Sequence, residues 1–355
     1  MVKNSYNVVG VMSGTSLDGI DLAHLHFKEN SGKWTFEIHQ TTMVSYNSIW
    51  FEKLKNAVSF STLELKQLNR DYTKLLGKTI FGFIEKNNLQ NLDAVCSHGH
   101  TILHQPQNNL TLQIGNLPEI AIICKQKVVC DFRVQDVKLG GQGAPLVPIG
   151  DKLLFSKYDY CLNLGGFSNI SFNENSTRIA FDISPVNTVL NFYANQLGLE
   201  FDNKGEIAKS GKLNLQLFDN LNSLEFYQKK YPKSLGFEFV QESVLPLLEE
   251  FSISIEDKMH TFTKHIAFQI SEVLLNKEGS LLVTGGGAYN DFLMERVRFY
   301  CPQITITIPE KKVLEFKEAL IFGLLGVLKL RNEINVLCSV TGAAQDHSSG
   351  HVYDF

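Results

Sequence analysis

The chain has 355 residues, 44% of them hydrophobic and 20% charged, with a net charge of −4. That length exceeds one ordinary domain and suits two lobes, each large enough to bury a core. The mild acidity gives no electrostatic basis for binding DNA, RNA or an anionic membrane, so neither nucleic acid nor membrane is expected as a partner. Six scattered cysteines (Cys96, Cys124, Cys130, Cys161, Cys301, Cys338) contain no C-x-x-C pair. They suggest reduced core residues in a cytoplasmic protein. The start, "MVKNSYNVVG", runs into a strand without a signal-peptide core, and "EALIFGLLGVLKL" is too short to span a bilayer.

Residues 8–12 form an apolar run suited to a buried strand. "IDLAHLHF" and "WTFEIHQTTMV" alternate as the second and third strands of an antiparallel meander, with Asp18-Gly19 as the hairpin signal. The intervening stretch, "SGTSLDGID", has the glycines and hydroxyls of a phosphate loop but no lysine, and it leads to a strand rather than a helix. It is therefore neither a P-loop nor a dinucleotide fingerprint. Small residues here would let backbone N–H groups approach phosphate, and Asp18 and Asp21 would need Mg²⁺ or its waters in between. An ordinary hairpin turn explains the same residues.

Leucines at helical spacing then fill residues 48–86. "DAVCSHG" predicts a short strand ending in Gly99, "TLQIG" another, "NLPEIAIICKQK" a helix with Pro118 near its start, and "VVCDFR" a strand. His98, His100 and His104 lie close together, but their spacing matches no recognised zinc pattern, so they predict polar lining of a substrate pocket. Arg133, followed by the loop carrying Gln142 and Gly143, suits a carboxylate held bidentately, or else a salt bridge.

From Tyr158 the opening pattern returns. "YDYCLNLGGFSNISF" and "TRIAFDI" form a second meander with its own glycine turn, and "NTVLNFYANQLG" a helix. Asp182 at the end of the third strand, beside Pro185, could accept a proton from a hydroxyl or water, or could merely cap a turn. "GSLLVTGGGAYNDFLMERVRFY" reads as strand, glycine triplet (Gly285, Gly286, Gly287) and helix. The triplet leaves room for a flat ring or makes a tight turn. Lys209, Lys233 and Glu238 sit in glycine-containing loops that need be no more than solvated connection.

"GVMSGTSLDGIDLA", "SHGHTILHQP", "DFRVQDVKLGGQGAPLVP", "NLGGFSNISF", "FDISPVN", "GEIAKSGKLN", "YPKSLGFEF", "TGGGAYNDFLMERV", "EALIFGLLG" and "SVTGA" occur in this order. Together they resemble the anhydro-N-acetylmuramic acid kinase family over nearly the whole chain. The resemblance implies an α/β, two-lobed actin-like ATPase (ribonuclease H-like) fold, a duplicated mixed sheet flanked by helices with a central ATP cleft. It implies an N-terminal lobe of residues 1–133, joined by about 334–355, and a C-terminal lobe of 134–333.

The implied activity is an ATP- and Mg²⁺-dependent sugar kinase of cell-wall recycling. It would open the 1,6-anhydro ring of anhydro-N-acetylmuramic acid with water and phosphorylate O6. Relatives suggest a homodimer. By the same resemblance Asp182 is the base, with Glu318 its candidate partner. ATP contacts fall on Gly14, Thr15, Ser16, Leu17, Asp18, Gly19, Ile20 and Asp21, on Gly165, Gly166 and Asn169, and on Gly285, Gly286, Gly287 and Asn290. Mg²⁺ falls to Asp18 and Asp21, and the sugar to His98, His100, Arg133, Gln142, Gly143, Pro185 and Asn187. The chain departs from the family's Asp-Thr-Gly-Pro-Gly-Asn, carrying Ile183, Ser184 and Val186 instead, and His100 replaces a glutamine. A kinase of another anhydrosugar, or a non-catalytic ATP-dependent sensor on this fold, are the alternatives.

Overall fold

The computed structural model describes residues 3–14 and 17–355. The chain divides into two units, one made of Met1–Phe155 with Phe316–Phe355 and the other of Ser156–Glu315.

In the first unit β1 (Ser5–Ser13), β2 (Gly19–Asn30) and β3 (Lys33–Ser45) form the expected antiparallel meander. β4 (Ala94–Gln105) and β6 (Val128–Cys130) extend it by parallel pairing on the other side of β1. β5 (Leu110–Ile114) pairs with β4, and β12 (His351–Tyr353) closes the β6 edge. β1 is buried along nearly its whole length, which is why it reads as a continuous apolar run rather than an alternating one. β4 does not stop at Gly99. Its second half folds back against β5, and Gly99 supplies the left-handed φ of +75° at the bend, where a Cβ would run into Ile114 and Asn116.

The helix Lys311–Leu330 is interrupted at Phe316, and its part after that residue packs on this sheet. A Cβ on Gly10 would meet the Ala319 carbonyl, and one on Gly326 would meet the Cys96 sulfur, so glycine on both surfaces brings the helix close. The boundaries expected after residues 133 and 333 differ from those found, because residues 134–155 and 316–333 pack in the first unit. Gly150 touches Ile321 of that helix, and Phe155 meets the Phe36 ring of β3 edge-on at 5.6 Å. These contacts join segments distant in sequence, so no local composition shift marks them.

In the second unit β7 (Tyr160–Leu164), β8 (Phe167–Glu174) and β9 (Thr177–Pro185) form another antiparallel meander. β10 (Gly279–Thr284) pairs parallel with β7 and with β11 (Ile304–Thr307). The sheet order is β11-β10-β7-β8-β9, matching β6-β4-β1-β2-β3 of the first unit. The duplication is thus one of topology. Helices Asn187–Gln196, Ile255–Val273 and Asp291–Tyr300 supply Leu190, Phe262 and Leu293 to the core of this unit, against Leu162 and Val283 of the sheet. This is the duplicated, helix-flanked mixed sheet expected of an actin-like fold.

Candidate active site

Thr15 and Ser16 of the first loop lie outside the described residues. Around them, Leu17 adopts φ 63° and its N–H donates to the Gly14 carbonyl at 3.3 Å, closing the turn between β1 and β2. Ile20 is fully buried and Gly19 is pressed against Val44, so both serve packing with their side-chain positions. Asp18 is exposed and Asp21 half-buried at the start of β2, opposite Met12. Two carboxylates on one turn make an oxygen-only donor set, which suits Mg²⁺ completed by phosphate oxygens and water.

A polar cluster that the sequence signalled only at His100 sits at the end of β1. The hydroxyl of Ser13, the last residue of β1, is 2.6 Å from the Tyr46 hydroxyl and 2.8 Å from His100 Nδ1, and Tyr46 reaches Tyr72 at 2.5 Å. Burial pushes both tyrosines up and His100 down to about 4, so the cluster is uncharged near neutrality. Tyr72 was hidden in a helical leucine pattern, where an inward tyrosine looks like any core residue.

His98, Arg133 and Gly143 converge. Arg133 donates through Nε to His98 Nε2 at 2.8 Å and through Nη1 to the Gly143 carbonyl at 2.7 Å. His98 must therefore carry its proton on Nδ1, 3.0 Å from the Gly99 carbonyl. Burial first, and the arginine charge second, hold its pKa well below the ordinary value. With both ring nitrogens engaged, His98 braces Arg133 rather than lining a pocket with free polar groups. His104 bonds to Thr111 through Nδ1 at 3.0 Å and lies beside Gly143, where burial first and the Arg133 charge second lower its pKa.

Burial lowers the Arg133 pKa to about 10, opposed by the charges of Glu318 and Asp136. Glu318 reaches solvent, yet the protein around it raises its pKa, opposed by Arg133 and Lys317. Glu318 thus keeps company with Arg133 in the first unit, whereas Asp182 belongs to the second.

Asp136, also unsignalled, anchors the glycine loop. Fully buried, it accepts from the Gly143 N–H and from the Thr341 hydroxyl, each at 2.7 Å. The Gln142 N–H donates to the Thr341 carbonyl at 2.8 Å, leaving the Gln142 side chain exposed. An acid three residues after Arg133 and just before a glycine loop was the available sign. Asp136→Ala is expected to cost about 1–3 kcal/mol in denaturant unfolding, since two buried donors lose their acceptor.

In the second unit, Asn163, Asn169 and Asp182 stand opposite one another across β7, β8 and β9, on one face. A bulge at Ile183 turns that residue into the core while Asp182 stays half-buried. Asp182 accepts from the Leu235 N–H at 2.8 Å, and its own N–H donates to the Lys233 carbonyl at 3.1 Å. Burial raises its pKa and the Leu235 bond opposes. The segment around Lys233 is thus a strap on Asp182 rather than mere solvated connection. Ser184, Pro185 and Val186 are buried, with Ser184 bonded to Ser168 at 3.0 Å. The departures from the family motif therefore pack inward.

The Gly165 and Gly166 carbonyls accept from the N–H groups of Asn187 and Val186, at 3.2 and 2.8 Å, tying the turn to the start of the Asn187–Gln196 helix. Gly285 (φ 85°) and Gly287 press on Leu164, leaving Gly286 with the most space, its nearest neighbour being the Asn187 amide. The Asn290 side chain caps the next helix, accepting from the Leu293 N–H at 2.9 Å.

The family model for anhydro-N-acetylmuramic acid kinase matches residues 6–354. Among similar proteins is the anhydro-N-acetylmuramic acid kinase of Mannheimia succiniciproducens, 33% identical over 99% of this chain and 100% of the relative. Those of Actinobacillus pleuropneumoniae (32%, 99% and 100%) and Pseudoalteromonas atlantica (31%, 91% and 89%) are comparable.

Proposed function

Since the chain belongs to the anhydro-N-acetylmuramic acid kinase family, we propose that it opens the 1,6-anhydro ring of anhydro-N-acetylmuramic acid and phosphorylates O6 with ATP. Water adds to the anomeric carbon and the bond from that carbon to O6 breaks. O6 takes the γ-phosphoryl group, and the products are ADP and N-acetylmuramic acid 6-phosphate. The observation that best supports this is Asp182, a half-buried carboxylate fixed from one side by the Leu235 N–H, with its basicity raised by burial. It receives the proton of the attacking water.

Arg133, braced through Nε and Nη1, offers Nη2 to the lactyl carboxylate. Glu318 beside it is a candidate for orienting the sugar hydroxyls. In the first unit the turn from Gly14 to Asp21 would contact phosphate; in the second, Gly165, Gly166 and Gly286 would contact the nucleotide and Asn169 its phosphates. Mg²⁺ on Asp18 and Asp21 would neutralise the charge developing on the transferred phosphoryl group. Dependence on ATP assigns the reaction to the cytoplasm, and a homodimer is carried over from the family. Among the described residues no helix is long and apolar enough to cross a membrane.

The test is to incubate the protein with Mg-ATP and anhydro-N-acetylmuramic acid and follow ADP and sugar 6-phosphate. Absence of sugar-dependent ADP would overturn the proposal, and turnover only with an anhydrosugar lacking the lactyl group would replace the substrate. Arg133→Lys, which keeps the charge but cannot brace on His98 and Gly143 while reaching the carboxylate, is expected to lower kcat/KM for the lactyl substrate about 10- to 100-fold. Its effect on a lactyl-free anhydrosugar should be much smaller.

A further inference from the structure

Three of the chain's ten histidines, His24, His26 and His39, lie on one strand pair, further along β2 and β3 from the Asp18–Asp21 turn. His26 on β2 stands directly opposite Glu37 on β3. His24 sits where the register shifts, facing both His39 and Gln40, and its ring lies 5.0 Å from that of His39. One donor atom each from His26, Glu37 and His39 falls within 4.8 Å of the others, with both histidines half-buried and the glutamate exposed.

We propose that His26, Glu37 and His39 form a binding site for a borderline divalent transition ion of the zinc class. Two imidazoles and one carboxylate are a donor set such ions favour over Mg²⁺ or Ca²⁺. Tetrahedral bonds of about 2.0–2.1 Å place donors about 3.3 Å apart, so the side chains need close by at most about 1.5 Å. Outer partners orient the ligands. His26 Nε2 lies 2.7 Å from the Ser5 hydroxyl, and a proton donated there leaves the Nδ1 lone pair for the metal.

His24 is a supporting ring rather than a ligand, because Gln40 and Asn7 engage both its nitrogens, at 2.8 and 2.6 Å. Three protein ligands leave a coordination position for water, so the ion would exchange with solvent.

The test titrates tag-free, chelator-stripped full-length protein with Zn²⁺ against a chromophoric chelator. One saturable equivalent is expected in the parent chain, lost in His39→Ala and weakened about tenfold or more in Ser5→Ala. His351→Ala, removing an exposed histidine 3.6 Å from Asp131, should bind as the parent does. Should His39→Ala fail to fold, Ser5→Ala decides. No saturable equivalent in the parent, or parent-like affinity in both Ser5→Ala and His39→Ala, overturns the proposal.

Discussion

Asp182→Asn is expected to fold, bind ATP near normally and lose turnover by about 10²–10⁴-fold, the usual contribution of a positioned base. Asparagine keeps an oxygen for the Leu235 N–H, so the strap across β9 survives and only the proton acceptor is removed. The pH dependence gives an independent sign. Burial raises the Asp182 pKa, so the folded state holds this proton more tightly than the unfolded chain does. Its stabilising contribution is present at low pH and is lost as pH rises through the folded value. At neutral pH the ionised carboxylate therefore costs stability, and Asp182→Asn should melt at or above the parent temperature. In the parent, kcat/KM should fall with acidification at a pH above that of an ordinary aspartate. An active Asp182→Asn enzyme would sink the assignment, and an inactive variant that melts early would point to a structural role.

The largest stability effect is expected at Asp151 and Lys317. Their charged ends are 2.8 Å apart and both side chains are almost completely buried. Removing one partner leaves an uncompensated buried charge, so Asp151→Ala should cost about 3–5 kcal/mol. For a unit of this size each kcal/mol lowers Tm by about 2–4 °C. Replacing both, as Asp151→Leu with Lys317→Met, should recover most of the loss, because the buried pair is offset by its own desolvation. If the double variant were as unstable as the single, the pair would be contributing net stability. Lys317 also lies over the Phe155 ring, at 5.5 Å, and precedes Glu318. The pair thus sets the helix turn that presents Glu318, and calorimetry on the three variants measures how firmly.

The two meanders were legible because their signals are local. Alternation, glycine turns and the Asp18-Gly19 pair all act within a few residues. Several candidate residues were legible by type and place as well. Arg133 after a strand and Asp182 at a strand end are candidates by type and place, although His98 and Leu235, which hold them, lie far away in sequence. Other expectations depended on partners. His98 looked like pocket lining until Arg133, 35 positions away, claimed its Nε2. The glycine triplet looked like room for a ring, and packing on Leu164 accounts for Gly285 and Gly287. Asn290 looked like a nucleotide contact, and its side chain caps a helix.

By itself, then, the sequence determined the two meanders and their repeated order, the family, and the acid, arginine and glycine residues worth testing. Those follow from periodicity and from the ordered motifs. Tertiary structure alone decided that residues 316–333 return to the first unit, that Asp136 holds the Gly143 loop, and that Ser13, Tyr46, Tyr72 and His100 share one hydrogen-bonded cluster. It also decided that His26, Glu37 and His39 meet across β2 and β3. The physical reason is the same in each case. Hydrogen bonds, ion pairs and close packing act over a few ångströms, and the fold brings to that range residues whose spacing along the chain carries no mark of it.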